Sequence, residues 1–261
     1  MTLNIRLTLS RTWLVLGTGL LMSTASTAQL LVNPVVIELG ANQRVATVKI
    51  TLSSTAKAAV RLQAELLRWQ QSLQGEDITQ ANSELLVTPP IADLRPGETQ
   101  LFRVAVRGGR TAPEELAYRL ILEDIAEPVA PDNTATDIAI SFRMRYDLPV
   151  MVAPVGKVMN ALRWKPCPAL ATTPAPRSAA VDTEACMRLF NAGNRRVKVQ
   201  TIHWSGDGWQ QAQPLAEGVN ILVGAEREWR IPLQAGKSGG LRGIQIQTAR
   251  GETLQAEAEG F

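Results

Sequence analysis

Apolar residues recur at every second position in much of this chain, and this alternation most constrains its fold. In residues 137–154, DIAISFRMRYDLPVMVAP, apolar side chains alternate with small or charged ones. Successive side chains of a β-strand point to opposite faces, so the pattern predicts a strand with one apolar face. Six earlier segments also have the composition of strands: LLVNPVVIELG, RVATVKITLSS, AVRLQAELLRWQQ, ELLVTPPIADL, TQLFRVAVRGG and LAYRLILEDI.

Turn-forming clusters such as LGANQR, QGEDITQANS and RPGET separate these strands, and helical periodicity is weak. Seven short strands with such turns predict a β-sandwich of immunoglobulin type. A Pro- and Ala-rich stretch follows, and strands resume from residue 185 to the end. The sequence therefore predicts an all-β chain of two immunoglobulin-like β-sandwich domains, residues 29–154 and 155–261.

The first 28 residues have the pattern of a secretory signal peptide. Arg6 and Arg11 precede the short apolar run WLVLGTGLLM, and small residues lead to Ala28. A membrane anchor would need about 20 apolar residues, which this run lacks. We expect a mature chain that begins at Gln29, is exported, and does not insert into a membrane.

The charge and the cysteine content of the chain indicate which partners it can bind and in which compartment it folds. The chain has 27 Lys and Arg against 24 Asp and Glu, and removal of the leader would leave it nearly neutral. No Lys/Arg-rich tract indicates nucleic-acid binding.

Cys167 and Cys186 are the only cysteines, and in an exported chain such a pair predicts a structural disulfide. The alternative, a zinc site, would need two further ligands, and the sole histidine is His203.

Residue patterns for catalysis are weak. His203 alternates with apolar neighbours in a predicted strand, and the acidic group Glu123, Asp124 and Glu127 lies where a strand ends. The GKSGG segment lacks the spacing of a phosphate-binding loop. No catalytic residue, metal site or cofactor is predicted, and the chain is not expected to be an enzyme. The tryptophans could line a sugar groove, although buried positions are commoner in sandwiches.

Two passages of the sequence contain motifs that are more specific than strand alternation. ELLVTPPIADLRPGETQLFRVAV (84–106) and LAYRLILEDIAEP (116–128) resemble, in motif order and spacing, the first domain of the pilus-assembly chaperones of chaperone–usher systems. The opening strand at 30–52 and the closing RYDLPVMVAP at 145–154 fall where that family has its first and last strands. MRLFNAGNRRVKVQTI (187–202) is similar to a strand pair of the family's second domain.

The resemblance implies a periplasmic chaperone with two immunoglobulin-like domains set at an angle. Its last first-domain strand would complete the unfinished fold of a pilus subunit, and the subunit would then pass to an outer-membrane usher. Carried onto this chain, the subunit-binding side chains are those of Ile138, Ile140, Phe142, Met144 and Leu148. An exposed apolar strand also predicts self-pairing into a homodimer.

The chain departs from the family pattern at the cleft between the domains. The resemblance implies one basic residue on the first strand and one on the last, which together hold the carboxylate at the subunit's C-terminus. Here Val36 and Pro149 occupy those positions. Arg143 or Arg145 is a predicted substitute, because an arginine can bind a carboxylate through two parallel hydrogen bonds. The alternative is that backbone amides bind the terminus.

Two other functions are consistent with the predicted fold. One is a structural or adhesive protein with two immunoglobulin-like domains and no client. The other is a secreted carbohydrate-binding module that uses its tryptophans. The motif order, rather than the fold, favours the chaperone.

Overall fold

The computed structural model describes residues 30–56, 58–108, 112–126, 143–168, 184–233 and 240–259. Those residues form seventeen β-strands and no helix. The predicted leader, residues 1–28, lies outside the described residues. In the described part of the chain, no helix is long and apolar enough to span a membrane.

Ten strands precede residue 153 and form two sheets. Their bounds are β1 Leu30–Asn33, β2 Ile37–Leu39, β3 Val45–Leu52, β4 Val60–Gln71, β5 Asp77–Ala81, β6 Leu85–Thr88, β7 Ile91–Leu94, β8 Thr99–Val106, β9 Leu116–Asp124 and β10 Arg145–Val152. One sheet has the order β1-β3-β8-β6, and the other has β2-β10-β9-β4-β5 with β7 also paired to β4. The two sheets enclose one hydrophobic core, as in an immunoglobulin-like sandwich.

The alternation of the sequence produces this core directly. In β3, Ala46, Val48 and Ile50 are buried while the residues between them face solvent. In β8, Phe102 and Val104 are buried in the same way. Burial of each large apolar side chain stabilises the sandwich by about 1.5–3 kcal/mol.

The first strand of the domain is divided between the two sheets. β1 pairs antiparallel with β3, whereas β2 pairs parallel with β10 in the opposite sheet. The cis peptide bond Asn33–Pro34 lies between them, and a second cis bond joins Thr88 to Pro89. As a result, β2 lies beside the last strand of the domain.

Seven strands form the second group. They are β11 Leu162–Pro166, β12 Glu184–Asn191, β13 Val197–Gly206, β14 Trp209–Ile221, β15 Glu226–Pro232, β16 Leu241–Thr248 and β17 Thr253–Ala258. Their order is β14-β13-β16-β17-β11-β12-β15. β17 pairs antiparallel with β16 and parallel with β11 and thereby joins the two layers. The predicted domain division at residues 154 and 155 falls between β10 and β11.

The second core differs in composition from the first because it contains five tryptophans: Trp69, Trp164, Trp204, Trp209 and Trp229. All five are at most 9% exposed, so none of them presents an open face to a sugar. The disulfide Cys167–Cys186 joins β12 to the residue that follows β11. This is the structural disulfide that the sequence predicts.

Candidate functional site

Strand β10 has a full partner on one side and a partial partner on the other. It pairs with β9 along its whole length, from Arg145 to Val152. On its other side it pairs with β2 only at Val150–Val152. Among the described residues, no strand pairs with that side at residues 145–149.

The register defines which backbone groups face this open edge. The N–H of Asp124 donates to the carbonyl of Met144 at 2.9 Å, so the backbone of Met144 faces β9. Backbone groups alternate in direction along a strand, and those of Arg145, Asp147 and Pro149 therefore face the other way. Pro149 has no N–H to offer there, which is the usual place for a proline in an edge strand.

The predicted row of subunit-binding side chains divides near the start of β10. Ile138, Ile140 and Phe142 lie outside the described residues. Met144 is half-buried just before the strand. Leu148 is 6% exposed and packs in the core of its own domain. The C-terminal end of the row thus fixes β10 in its sandwich, and Met144 is the described member of the row that precedes the strand.

The opposite face of β10 carries charged groups that are paired within the domain. Arg145 lies 4.0 Å from Glu123 in an exposed ion pair. Asp147 lies 3.5 Å from Arg119, whose guanidinium stacks 3.7 Å above the ring of Trp69. Arg143 is exposed. Neither Arg143 nor Arg145 lines the cleft described next.

A cavity of about 400 Å³ lies between the two domains. Its first-domain wall is formed by Val36, Pro149 and Met151. Val36 and Pro149 are the two positions at which the sequence lacks the expected cations, and the structure brings them to the same cleft. The second-domain wall carries four cations, which are Arg195, Arg196, Lys198 and Arg250.

A charged seam closes one side of this cleft. Arg196 binds Glu115 at 2.5 Å and also contacts Glu38. Arg195 lies 3.8 Å from the same Glu115 carboxylate. Burial raises the pKa of the Glu115 carboxyl, and the charge of Arg196 opposes that rise. The seam joins β2 and the start of β9 to the segment before β13.

A neutral seam joins the domains at a second place. The Gln71 side chain donates to the carbonyl of Asn220 at 3.0 Å and accepts from the N–H of Leu222 at 3.0 Å. The N–H of Glu228 donates to the carbonyl of Leu73 at 2.9 Å. Trp69, Ala117 and Met151 of the first domain pack into the second core. Two separate seams therefore fix the orientation of the domains.

Two observations concern residues of the second domain, one predicted from the sequence and one not. His203 lies on β13 in register with Ala212 and Gln245, on a partly exposed face. Sequence reasoning did not identify the second-domain cations of the cleft. The signal was present in NRRVKV, where Arg195, Arg196 and Lys198 fall within four residues after a turn.

The fold defines a class of proteins, namely those with two immunoglobulin-like β-sandwich domains. Residues 29–157 match the family model described as "Pili and flagellar-assembly chaperone, PapD N-terminal domain". The chain belongs to the pilus-assembly chaperones of chaperone–usher systems, a family whose members are periplasmic in general. Among curated proteins, no sequence matches this chain.

Solved structures share the fold over nearly the whole chain. One chain of the CsuC–CsuE chaperone–tip adhesion subunit pre-assembly complex, from the archaic Csu pili of Acinetobacter baumannii, is 17% identical with a TM-score of 0.61. That match covers 89% of this chain and 100% of the other. The class 5 fimbriae chaperone CfaA is 15% identical with a TM-score of 0.59, over 89% of this chain and 100% of its own.

A third structure is that of the Salmonella enterica SafA pilin in complex with the SafB chaperone. The similar chain is 12% identical with a TM-score of 0.53, over 87% of this chain and 95% of its own. At these identities the likeness describes the fold. It agrees with the sequence prediction of two immunoglobulin-like sandwiches.

Proposed function

We propose that this chain is a periplasmic chaperone that binds and caps pilus subunits by donating β10 and the residues before it. The single observation that carries the proposal is the open edge of β10 at residues 145–149. An unpaired strand edge is a template for another chain, and proteins usually cover or interrupt it. Here it directly follows, in the sequence, the alternating apolar residues of segment 138–144.

Strand addition requires two things that this region supplies. Main-chain hydrogen bonds to the open edge give affinity, and side chains at alternate positions fill pockets in the client and give specificity. Ile138, Ile140, Phe142 and Met144 are the proposed pocket-filling residues. Burial of three such side chains at about 25 cal/mol per Å² contributes several kcal/mol. Leu148, because it packs in the core, positions the strand.

The client is a pilus subunit and the recipient an outer-membrane usher, in keeping with the family. Two of the similar structures contain a chaperone together with a tip adhesion subunit or a pilin. In the free protein the same open edge would also allow two copies to pair through β10. Size-exclusion chromatography of the mature chain tests this, and a monomer at high concentration would contradict it.

The direct test is co-purification from the periplasm. A tagged full-length chain is expressed in its host, the mature protein is recovered from the periplasm, and bound proteins are identified by mass spectrometry. We expect one subunit per chaperone. Phe142→Glu should abolish capture, because a charge cannot enter an apolar pocket without a partner.

The matched control is Leu101→Glu, which places the same charge at an exposed leucine on the outer face of β8. This variant should capture subunits normally. Unchanged capture by Phe142→Glu would contradict strand donation. Unfolding of the free Phe142→Glu protein would instead assign Phe142 to the core and equally refute its proposed role.

A further inference from the structure

The solvent-facing side of the second sandwich contains a cavity that the proposed function does not use. The cavity has a volume of about 420 Å³ and lies over strands β13, β14, β16 and β17. Strand β10 and the apolar row before it belong to the first domain, whereas every residue in the described lining of this cavity belongs to the second. The cavity is therefore separate from the proposed strand-donating surface.

Four neighbouring strands place one residue each in a row across this face. His203 of β13 lies opposite Ala212 of β14 and Gln245 of β16. Gln245 in turn lies opposite Gln255 of β17. Because adjacent strands are about 4.8 Å apart, the row from Ala212 to Gln255 spans about 14 Å. Paired residues point to the same face of a sheet, so the members of this row can contact one extended ligand.

Small residues leave room between the polar side chains. Ala212 ends the row with a single methyl group, and Gly243 of β16, which lies opposite Ser205 of β13, has no side chain. A Cβ at Gly243 would lie 2.9 Å from Ser205 Oγ and 3.9 Å from Gln255 Nε2. A larger residue at that position would fill the space between these two polar groups.

The lining is polar but carries no fixed charge. Its described residues include no Asp, Glu, Lys or Arg, and His203 is the one titratable side chain among them. The strongly exposed apolar side chains of the described chain all lie elsewhere. A charged ligand would find no opposite charge here, and an apolar partner would find no matching patch. The lining therefore fits an uncharged ligand that forms hydrogen bonds.

Three side chains of the lining already use their donors within the protein. Ser205 Oγ and Gln255 Nε2 each donate to a backbone carbonyl of β16, at 3.0 and 3.2 Å. Gln211 Nε2 donates to the carbonyl of Pro232 at 3.3 Å, and its Oε1 has no hydrogen-bond partner among the described residues. The oxygens of these three side chains remain as acceptors. They favour a ligand with several O–H or N–H donors.

Two further glutamines of the lining supply donors. Gln210 and Gln245 are exposed, and their side chains bind no other residue in the described part of the chain. Each amide has two N–H donors and one acceptor oxygen. A sugar hydroxyl both donates and accepts, and an acetamido group has one N–H donor and one carbonyl acceptor. A sugar with acetamido groups therefore complements both sets of side chains.

We propose that this cavity binds an uncharged oligosaccharide that carries acetamido groups. The site uses amide, hydroxyl and imidazole side chains and does not depend on the buried tryptophans. It adds a glycan-binding function that is independent of strand donation, because the lining lies entirely on the second domain. Sugar chains of this chemistry occur as free oligosaccharides and as part of the peptidoglycan, and the test distinguishes these two sources.

Sugar titration of the isotope-labelled mature chain, followed by NMR, tests the site. The probes are tetra-N-acetylchitotetraose and maltotetraose, which has no acetamido groups. We expect shifts of the backbone resonances of residues 203–205, 210–212 and 243–245. Tetra-N-acetylchitotetraose should bind about tenfold more tightly than maltotetraose, because one or two additional hydrogen bonds give a ratio of this order. Equal affinity for the two sugars would overturn the proposal, as would absence of shifts with either sugar at millimolar concentration.

The double variant Gln245→Ala/Gln255→Ala should weaken binding of the N-acetylated sugar at least tenfold. The matched control is Gln247→Ala/Thr253→Ala, which changes the next exposed pair on the same two strands, outside the lining. This control should bind as the unchanged chain does. Equal binding by the two double variants would overturn the assignment to this cavity. The comparison of the two sugars on the unchanged chain does not depend on the folding of any variant.

Sedimentation with purified peptidoglycan identifies the source of the ligand. Co-sedimentation that is lost in Gln245→Ala/Gln255→Ala would assign the site to the glycan of the cell wall. Binding of the soluble tetrasaccharide without co-sedimentation would assign it to a free oligosaccharide. Neither result depends on subunit capture, which Phe142→Glu tests, so failure of the glycan site and failure of strand donation are distinguishable.

Discussion

The two ends of β10 share one sequence pattern but have different surroundings. At the C-terminal end, Val150 packs in the first core while Met151, on the opposite face, packs in the second. That end also has a strand on each side. At the N-terminal end, Arg145 and Asp147 are exposed or half-exposed, and one side of the strand has no partner among the described residues.

The comparison shows that alternation alone does not decide between core and binding surface. Leu148 and Met144 belong to the same apolar row, four residues apart. Leu148 lies opposite Leu120 of β9, well inside the sandwich, whereas Met144 lies at the level where β9 ends. The extent of the neighbouring strands therefore determines which members of the row are available to a client.

The largest expected loss of stability comes from a substitution at a core residue of β10. Leu148→Ala removes a side chain that is 6% exposed in the first core and should lower the free energy of unfolding by about 3 kcal/mol. Urea denaturation measures the change. Leu101→Ala, at an exposed leucine, is the control and should cost less than about 1 kcal/mol. Equal losses of stability in Leu148→Ala and Leu101→Ala would show that Leu148 is no more buried than the outer face of β8.

Met151→Ala should have the next largest effect. The side chain is 2% exposed and packs with the second core, so its removal should cost about 2 kcal/mol. Because the contact crosses between domains, we also expect faster hydrogen exchange in β13 of the second domain, which contributes Val197 and Val199 to that core, measured by mass spectrometry. Increased exchange in the first core alone would contradict the cross-domain contact.

At the open end, Met144→Ala should change the free energy of unfolding by less than about 1 kcal/mol. Its effect on subunit capture should be larger, since the proposed role is to fill a client pocket. Competition between wild-type and variant chaperone for one subunit measures the ratio of affinities. A stability loss as large as that of Leu148→Ala would place Met144 in the core and contradict the division of the strand.

The smallest expected effect is that of Arg145→Ala. The Arg145 and Glu123 side chains are 4.0 Å apart and both well exposed, and such pairs contribute at most about 1 kcal/mol to stability. Because Arg145 does not line the cleft between the domains, we expect subunit capture to be unchanged. Weakened capture in this variant would support Arg145 as the carboxylate anchor and contradict this expectation.

The fold was predictable because alternation and turn chemistry are local. The period-two pattern of β3, β8 and β10 predicts inward and outward residues, and the structure buries Val48, Phe102 and Val150 accordingly. The two immunoglobulin-like sandwiches follow from the number and spacing of such strands. The segment LAYRL, quoted above as the start of a predicted strand, forms the start of β9.

The contacts between domains were not predictable in this way, because they depend on how two finished sandwiches meet. Nothing near Gln71 in the sequence indicates that its amide binds the backbone at Asn220 and Leu222. Trp69 is out of phase with the buried residues Leu62, Ala64 and Leu66 of β4, and it belongs to the core of the other domain. The cleft cations were missed for the same reason, since Lys198 and Arg250 meet only after folding.

The shortness of β2 has a consequence for any guest strand. β2 occupies the side of β10 from Val150 onward, and Pro149, just before it, offers a carbonyl but no N–H. Within β10, a guest therefore has the full backbone groups of only Arg145 and Asp147, and further pairing must come from residues nearer the N-terminus. This chain, and not the guest, sets where the shared sheet stops. Discrimination among guests must then come from the fit of side chains into pockets.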